Sequence, residues 1–332
     1  MENSYDFIAI GDTVTDAFIR LEDASVNCDV NKEKCKLCLK FGDKVPYEFV
    51  EVVRAVGNSA NAAVAAARLG LRSALVSNLG DDQNGSECLT ALQRNKVSTE
   101  FIKTHEHKDT NYHYVLWFDD DRTILVKHQQ YEYSLPDIGK PKWLYLSSLA
   151  ENTLNYHLEI LSYLEKNPEV KLAFQPGTFQ MKLGVEKLSG LYKRSDLFFC
   201  NVEEAKRILG IIEEINIKEL LKKMHALGPK IISITDGPRG AYVYDGSNGW
   251  FMPPYPDEKP PYERTGAGDS FASTFTSALA LGMEIPDALR WGPVNSMSVV
   301  QHVGAQKGLL SQNEINALLE RAPSSYKADK II

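Results

Sequence analysis

Short apolar runs and longer stretches of mixed polarity alternate along most of the chain. "YDFIAIG" (5–11), "RSALVSNLG" (72–80), "KWLYLSS" (142–148), "VKLAFQP" (170–176), "DLFFCN" (196–201) and "KIISITDG" (230–237) have the length and the aliphatic and aromatic content of buried strands. Between them, "GNSANAAVAAARLG" (57–70), "NGSECLTALQRN" (84–95), "TLNYHLEILSYLEKN" (153–167) and "IKELLKKMHALG" (217–228) read as helices. Strand, helix, strand in this rhythm predicts parallel pairing through crossover helices. The expected fold is therefore α/β, a helix-flanked and mainly parallel β-sheet. From Gly266 to about Ala322 the pattern turns almost wholly helical.

Two stretches break the rhythm. Residues 17–55 hold β-like runs such as "CLKFG" and "YEFVEVV" and no helical pattern before Gly57. Residues 111–129, "NYHYVLWFDDDRTILVKHQ", read as a β-hairpin turning at Asp119–Arg122. The expected organisation is one α/β domain made of 1–16, 56–110 and 130–332, with 17–55 and 111–129 inserted as a small β-rich lid. The lid belongs over the strand ends, where ligand sites of open α/β sheets form.

Composition narrows the function classes. The 332 residues are 43% hydrophobic and 24% charged, as in an ordinary globular chain. A net charge of −7 without a basic block argues against nucleic acid or an anionic membrane as partner. "MENSYDFIAIG" lacks the basic segment and long apolar run of a signal peptide, and no later run reaches the roughly 18 apolar residues of a membrane span. Five cysteines, an odd number in a large chain, read as reduced thiols in a cytoplasmic protein.

The densest chemistry lies in "ERTGAGDSFA" (263–272). Gly266-Ala267-Gly268 opens a helix, and residues without large side chains leave its first-turn N–H groups bare for an oxyanion or phosphate. Asp269 sits in the same turn, where a carboxylate can take the proton of a hydroxyl that attacks the bound phosphate. Small residues and an acid at a helix start are also common capping chemistry, so the stretch gains weight only from its company. No Gly-x-x-x-x-Gly-Lys-Ser/Thr occurs, which excludes a P-loop.

That company resembles the ribokinase-like (PfkB) carbohydrate kinases. "RTGAGDSFASTFTSALALG" is similar to the family's C-terminal signature and "VGNSANAAVAAARLG" (56–70) to its N-terminal one. The likeness runs from "IAIGDTVTD" to "VVQHVGAQKGLLS", nearly the whole chain. It implies that Asp269 is the catalytic base and Gly266, Ala267 and Gly268 the anion hole. Asp16, Gly57 and Asn61 would bind the sugar. Asn201, from an Asn-x-x-Glu match, would lie near the phosphates, Glu204 would hold Mg²⁺, and Thr235, Gly237, Gly240, Gly268 and Gly304 would serve ATP. Asn201 and Glu204 also fit an ordinary helix cap, Asp16 a loop cap, and Gly237 to Gly240 a plain turn.

The chain departs from the family pattern at four places. Val56 stands where the first hinge glycine is usual. Glu263 and Arg264 replace Asp and Thr before the anion hole, in a region tied to monovalent-cation binding, and Pro293 replaces His or Asn near adenine. Potassium therefore stays open, while ATP and Mg²⁺ are expected. "FQPGT" (174–178) replaces Asp-Pro-Asn, so the role of Gln175 is open too.

The expected activity is ATP-dependent phosphorylation of a primary hydroxyl on a small ribose- or fructose-like sugar, by a homodimer paired through the lid. A nucleoside kinase, with Tyr112, Tyr114, Trp117 or Phe118 forming a base slot, is the alternative; a non-catalytic sensor on the same fold is the third reading. Cys28-x₆-Cys35-x₂-Cys38 lacks an evident fourth zinc ligand. His105 and His107 read as a polar surface loop, and "NGS" at 84–86 as a helix start.

Overall fold

The structure, a computed structural model, describes residues 5–28, 35–119, 121–257 and 259–332. The chain opens with β1 (Phe7–Ile10), β2 (Val14–Leu21), β3 (Ser25–Asn27), β4 (Lys36–Cys38) and β5 (Tyr47–Val56). Next come α1 (Asn58–Arg68), β6 (Ser73–Gly80), α2 (Gln83–Arg94), β7 (Ile102–His105), β8 (Tyr112–Phe118), β9 (Asp121–Leu125) and β10 (Trp143–Leu146). The middle holds α3 (Leu154–Lys166), β11 (Lys171–Phe174), α4 (Thr178–Leu183), α5 (Val185–Arg194), β12 (Leu197–Asn201), α6 (Val202–Leu209), α7 (Ile217–His225) and β13 (Ile231–Thr235). The chain closes with β14 (Ala241–Tyr244), β15 (Gly249–Met252), α8 (Ala267–Ala280), α9 (Ile285–Val299), α10 (Gln312–Arg321) and β16 (Asp329–Lys330).

Ten strands form the main sheet in the order β16-β15-β14-β13-β12-β11-β10-β1-β6-β7. From β7 to β13 every pairing is parallel, as the strand–helix rhythm predicts. The strands β14, β15 and β16 then extend one edge antiparallel. The central strands are apolar on both faces because helices cover both. In β1 the alternation is visible: Phe7 and Ala9 enter one core with α1, α8 and α9, while Ile8 and Ile10 enter the other with α3, α5 and α7. No helix among the described residues is long and apolar enough to cross a membrane.

A second, four-stranded sheet has the order β5-β2-β8-β9, with β2 and β8 parallel and the outer pairs antiparallel. Phe18, Val115, Trp117 and Val303 form its own small core. The chain passes from β1 in the main sheet to β2 in the small one within three residues, 11–13, so Asp12 and Asp16 flank the junction. The hairpin expected at 111–129 is β8–β9, closed by Phe118 opposite Asp121.

Two expectations are corrected. Cys28 and Cys35 are not free thiols but form a disulfide. The antiparallel ribbon β3–β4 pairs Asn27 with Lys36, and the next positions outward are the two cysteines, with Cα atoms 3.9 Å apart. Cys38, Cys88 and Cys200 are free, and no group of three or more potential metal ligands exists among the described residues. His105 does not lie on a surface loop. It ends β7 in the interior, its Nε2 2.8 Å from Asn78 Oδ1 and its ring against Tyr131.

Candidate active site

The parallel strands end side by side, and one cavity of about 550 Å³ lies over their carboxyl ends. Asp12 follows β1, Ser148 follows β10, Gln175 follows β11, and Asn201 and Thr235 terminate β12 and β13; all five line it. The small sheet forms the opposite wall through Asp16, His113, Arg122 and Ile124. The start of α8 forms the floor between them.

That start is bare. Gly266 stands at the N-cap with φ 82° and no side chain caps the first turn. A Cβ on Gly266 would fall 2.2 Å from the Ala305 Cβ, so both the left-handed backbone and the close approach require glycine. Behind the mouth α8 is buried, anchored against β12 by the Phe199–Phe275 ring contact at 6.1 Å. The N–H groups of the mouth therefore point at the cavity from a fixed helix.

Asp269 lies in this first turn and faces the cavity, held by three amides. Asn58 Nδ2 donates to its Oδ1 at 2.7 Å, Asn61 Nδ2 to its Oδ2 at 2.9 Å, and Gln175 Nε2 to its Oδ1 at 3.1 Å. Two of these amides are oriented from behind. Gln306 Nε2 donates to Asn61 Oδ1 at 3.0 Å, and the Tyr145 hydroxyl to Gln175 Oε1 at 2.5 Å. Burial, and then the charge of Asp269, push the Tyr145 phenol well above its ordinary pKa, so it remains a donor. Each carboxylate oxygen has two lone-pair sites, so Asp269 can still accept a hydroxyl proton.

Glu204 and Asn201 form a reciprocal capping box at the start of α6: Glu204 N–H donates to Asn201 Oδ1 at 2.8 Å and Asn201 N–H to Glu204 Oε2 at 2.9 Å. Both residues nonetheless line the cavity. Burial pushes the Glu204 carboxyl above the usual carboxylate range; the Asn201 N–H and Arg207 oppose this, and the Asp269 charge adds to it. A desolvated carboxylate that shares a cavity with a second one fits a divalent cation, which relieves its charge. Glu263 is different. Fully buried, it accepts from Thr265 N–H at 2.8 Å, Thr265 Oγ1 at 2.6 Å and Gly304 N–H at 3.3 Å, with Arg122 Nε 4.0 Å away. With both oxygens engaged and a guanidinium alongside, the Glu263 carboxylate is not free to ligate a potassium ion.

Of the residues singled out from sequence, Asp16, Gly57, Asn61, Asn201, Glu204, Thr235, Gly266, Ala267, Gly268 and Asp269 meet in this one cavity. Gly237, Gly240 and Gly304 do not line it; Gly304 packs beside Val53 of the small sheet. Asn61, expected to grip a substrate hydroxyl, lines the cavity and also donates to Asp269 and accepts from Gln306, which leaves one N–H and one lone pair of its amide free. Gly57 has φ 112° and would place a Cβ 2.7 Å from the Asp12 carbonyl oxygen, so this position requires glycine. Sequence reading missed Asp12, His113, His128 and the positioning role of Asn58. Asp12 carries a local signal, an acid at the carboxyl end of an apolar strand; the two histidines carry none.

The aromatic slot required for a nucleobase is not where the sequence placed it. Trp117 is buried against Phe49 and Tyr262, Tyr112 packs on Tyr114, and none of Tyr112, Tyr114, Trp117 and Phe118 lines the cavity.

Comparison with known proteins agrees with this geometry. The chain is 30% identical over 272 residues to a ribokinase of Bacillus subtilis, covering 79% of this chain and 87% of the relative. It is 25% identical over 316 residues to an ATP-dependent 6-phosphofructokinase of Thermoanaerobacterium thermosaccharolyticum, covering 92% and 90%. The fold superposes on Arabidopsis thaliana ribokinase complexed with ribose and ATP with a TM-score of 0.80 at 20% identity, covering 96% and 99%. The profile of the pfkB family carbohydrate kinases matches residues 23–312. The chain belongs to the PfkB family of carbohydrate kinases, phosphotransferases with an alcohol group as acceptor.

Proposed function

We propose that the protein transfers the γ-phosphoryl group of ATP to a primary hydroxyl of a small ribose- or fructose-like sugar. The observation that carries this reading is the meeting of Asp16 and Asp269 in the lining of one cavity that also takes in an uncapped helix mouth. Asp16 and its neighbours bind the sugar and present its –CH₂OH to Asp269. Asp269 takes the hydroxyl proton while the amides of Gly266, Ala267 and Gly268 hold the charge that spreads over the phosphoryl oxygens. Asn58, Asn61 and Gln175 keep the carboxylate aimed. Asn201 and Thr235 would meet the phosphates at the strand ends, and Glu204 would hold Mg²⁺, which when bound would neutralise phosphate charge. The small sheet covers the site and keeps water from competing with the sugar.

The outer face of that sheet carries the half-exposed apolar side chains Val50, Val52, Tyr114 and Leu125, and we assign it to a homodimer contact. We assign the enzyme to the cytoplasm, where ATP is supplied, and take potassium as dispensable on the ground that Glu263 is already engaged by Thr265 and Gly304. A nucleoside as acceptor loses the base slot expected for it, because Tyr112, Tyr114, Trp117 and Phe118 all lie off the cavity. The test is ADP release against pentoses, hexoses, phosphosugars and nucleosides, with and without Mg²⁺. Mg²⁺-dependent ADP release with a pentose or hexose supports the reading. Release with a nucleoside alone, or none above the water background, overturns it.

A further inference from the structure

One corner of the cavity is wet-side chemistry left unfinished. Asp12 and Asp16 are nearly buried, with 5% and 8% of their surface exposed. Each is faced by an imidazole: His128 Nδ1 lies 3.5 Å from Asp12 Oδ2, and His113 Nδ1 lies 3.4 Å from Asp16 Oδ1. The two rings stand 5.2 Å apart, so the pairs are side by side. Register explains the second pair, since β2 and β8 run parallel with Asp16 beside His113. The first is clamped from behind. The Tyr133 hydroxyl donates to Asp12 Oδ1 at 2.8 Å, and the Phe179 ring meets His128 edge to face.

Four buried polar atoms of this corner have no hydrogen-bond partner within the protein: Asp12 Oδ2, Asp16 Oδ1, His113 Nε2 and His128 Nδ1. An unmet buried polar group costs about 1–3 kcal/mol, so four in one corner point to a ligand that completes them. The chemistry of that ligand follows from the atoms. Two carboxylate oxygens need donors, and an imidazole nitrogen needs either a donor or an acceptor according to its tautomer. A hydroxyl is both donor and acceptor, so two hydroxyls can complete all four atoms. A phosphate or carboxylate placed here would instead confront two carboxylates, and an apolar group would leave all four unmet.

We infer that Asp12, Asp16, His113 and His128 form a specificity-determining corner that recognises a neutral end of the acceptor through at least two of its hydroxyls. The inference rests on the kinase reading and sharpens it: the acceptor is a neutral polyol whose uncharged end lies at Asp12 and Asp16, away from Asp269. A sugar carrying a phosphate at that end is rejected. The histidines act on binding and on the choice of acceptor; the proton transfer stays with Asp269.

The test is calorimetric titration of the full chain with D-ribose, D-fructose, their deoxy analogues and fructose 6-phosphate, in the presence of a non-hydrolysable ATP analogue. The parent is expected to bind a neutral sugar and to lose about 10–100-fold in affinity when a hydroxyl met by this corner is removed. His113→Ala and His128→Ala should bind the intact sugar more weakly and no longer distinguish it from that deoxy analogue. His128→Asn, which keeps a donor, should regain part of the discrimination. Undiminished binding of the ATP analogue shows that a variant is folded. The inference is overturned if the variants discriminate as strongly as the parent, if fructose 6-phosphate binds more tightly than fructose, or if no neutral sugar binds. Sugar binding without ADP release from ATP would overturn the kinase reading and leave the corner standing.

Discussion

Gly268→Ala sets stability and catalysis against each other, because the methyl group enters a helix and a phosphate cradle at once. Gly268 is the second residue of α8, is exposed toward the cavity, and an added Cβ meets no heavy atom within 4 Å. Nothing in the fold resists the substitution. Replacing a helical glycine with alanine gains up to about 0.5–1 kcal/mol from the reduced freedom of the unfolded chain. For a chain of this length that raises Tm by about 1–3 °C. The same methyl projects into the space that lets an oxyanion rest on the first-turn amides. Losing one such donor typically costs about 10²–10³ in kcat, or ~3–4 kcal/mol of transition-state stabilisation. Sugar-dependent ADP release and thermal unfolding of the same preparation give both numbers. A variant with unchanged or raised Tm and turnover within about threefold of the parent would show that the mouth of α8 does not hold the transferring group.

Three further outcomes follow from particular contacts. Burial raises the Asp6 carboxyl pKa, but the Arg72 side chain and N–H and the Lys142 ammonium outweigh it and bring it to about 2 from an ordinary 3.8. A depressed carboxyl contributes stability that is full above its unfolded pKa and is lost as pH falls toward 2. Asp6→Asn should therefore cost at most about 2 kcal/mol at neutral pH, since Arg72 and Lys142 stay largely in solvent, and almost nothing near pH 2. Denaturant melts of both proteins at the two pH values check this, and a pH-independent difference would contradict it. Tyr114→Glu, on the outer face of the small sheet, should halve the mass seen in sedimentation while leaving the fold intact; an unchanged mass removes that face from the dimer contact. Replacing potassium with choline should leave sugar-dependent ADP release unaltered, and a steep loss would mean that Glu263 and Arg122 leave room for a cation after all.

Much of this was legible in the sequence because it is local. Buried parallel strands announce themselves as apolar runs, and "GAGD" announces a bare helix start because both the small residues and the acid fall within one turn. What was not legible depends on partners distant in the chain. His113 gains its meaning only from the β2–β8 register that sets it beside Asp16, and His128 only from the path of the chain after β9 that brings it to Asp12. Gln175 becomes a positioning residue because Tyr145, thirty residues earlier, fixes its amide. The Cys28–Cys35 pair depends on a short exposed ribbon whose pairing has no apolar pattern to reveal it. The Asn201–Glu204 box shows the opposite limit: the capping reading holds and the residues still line the cavity, so the two readings were never exclusive.

The most direct measurement is sugar-dependent ADP release by Asp269→Asn, with ATP binding followed in the same protein. Asparagine matches the carboxylate in size but cannot receive the acceptor's proton. The account predicts turnover lower by about 10²–10⁴-fold with ATP still bound; turnover equal to the parent's would contradict it.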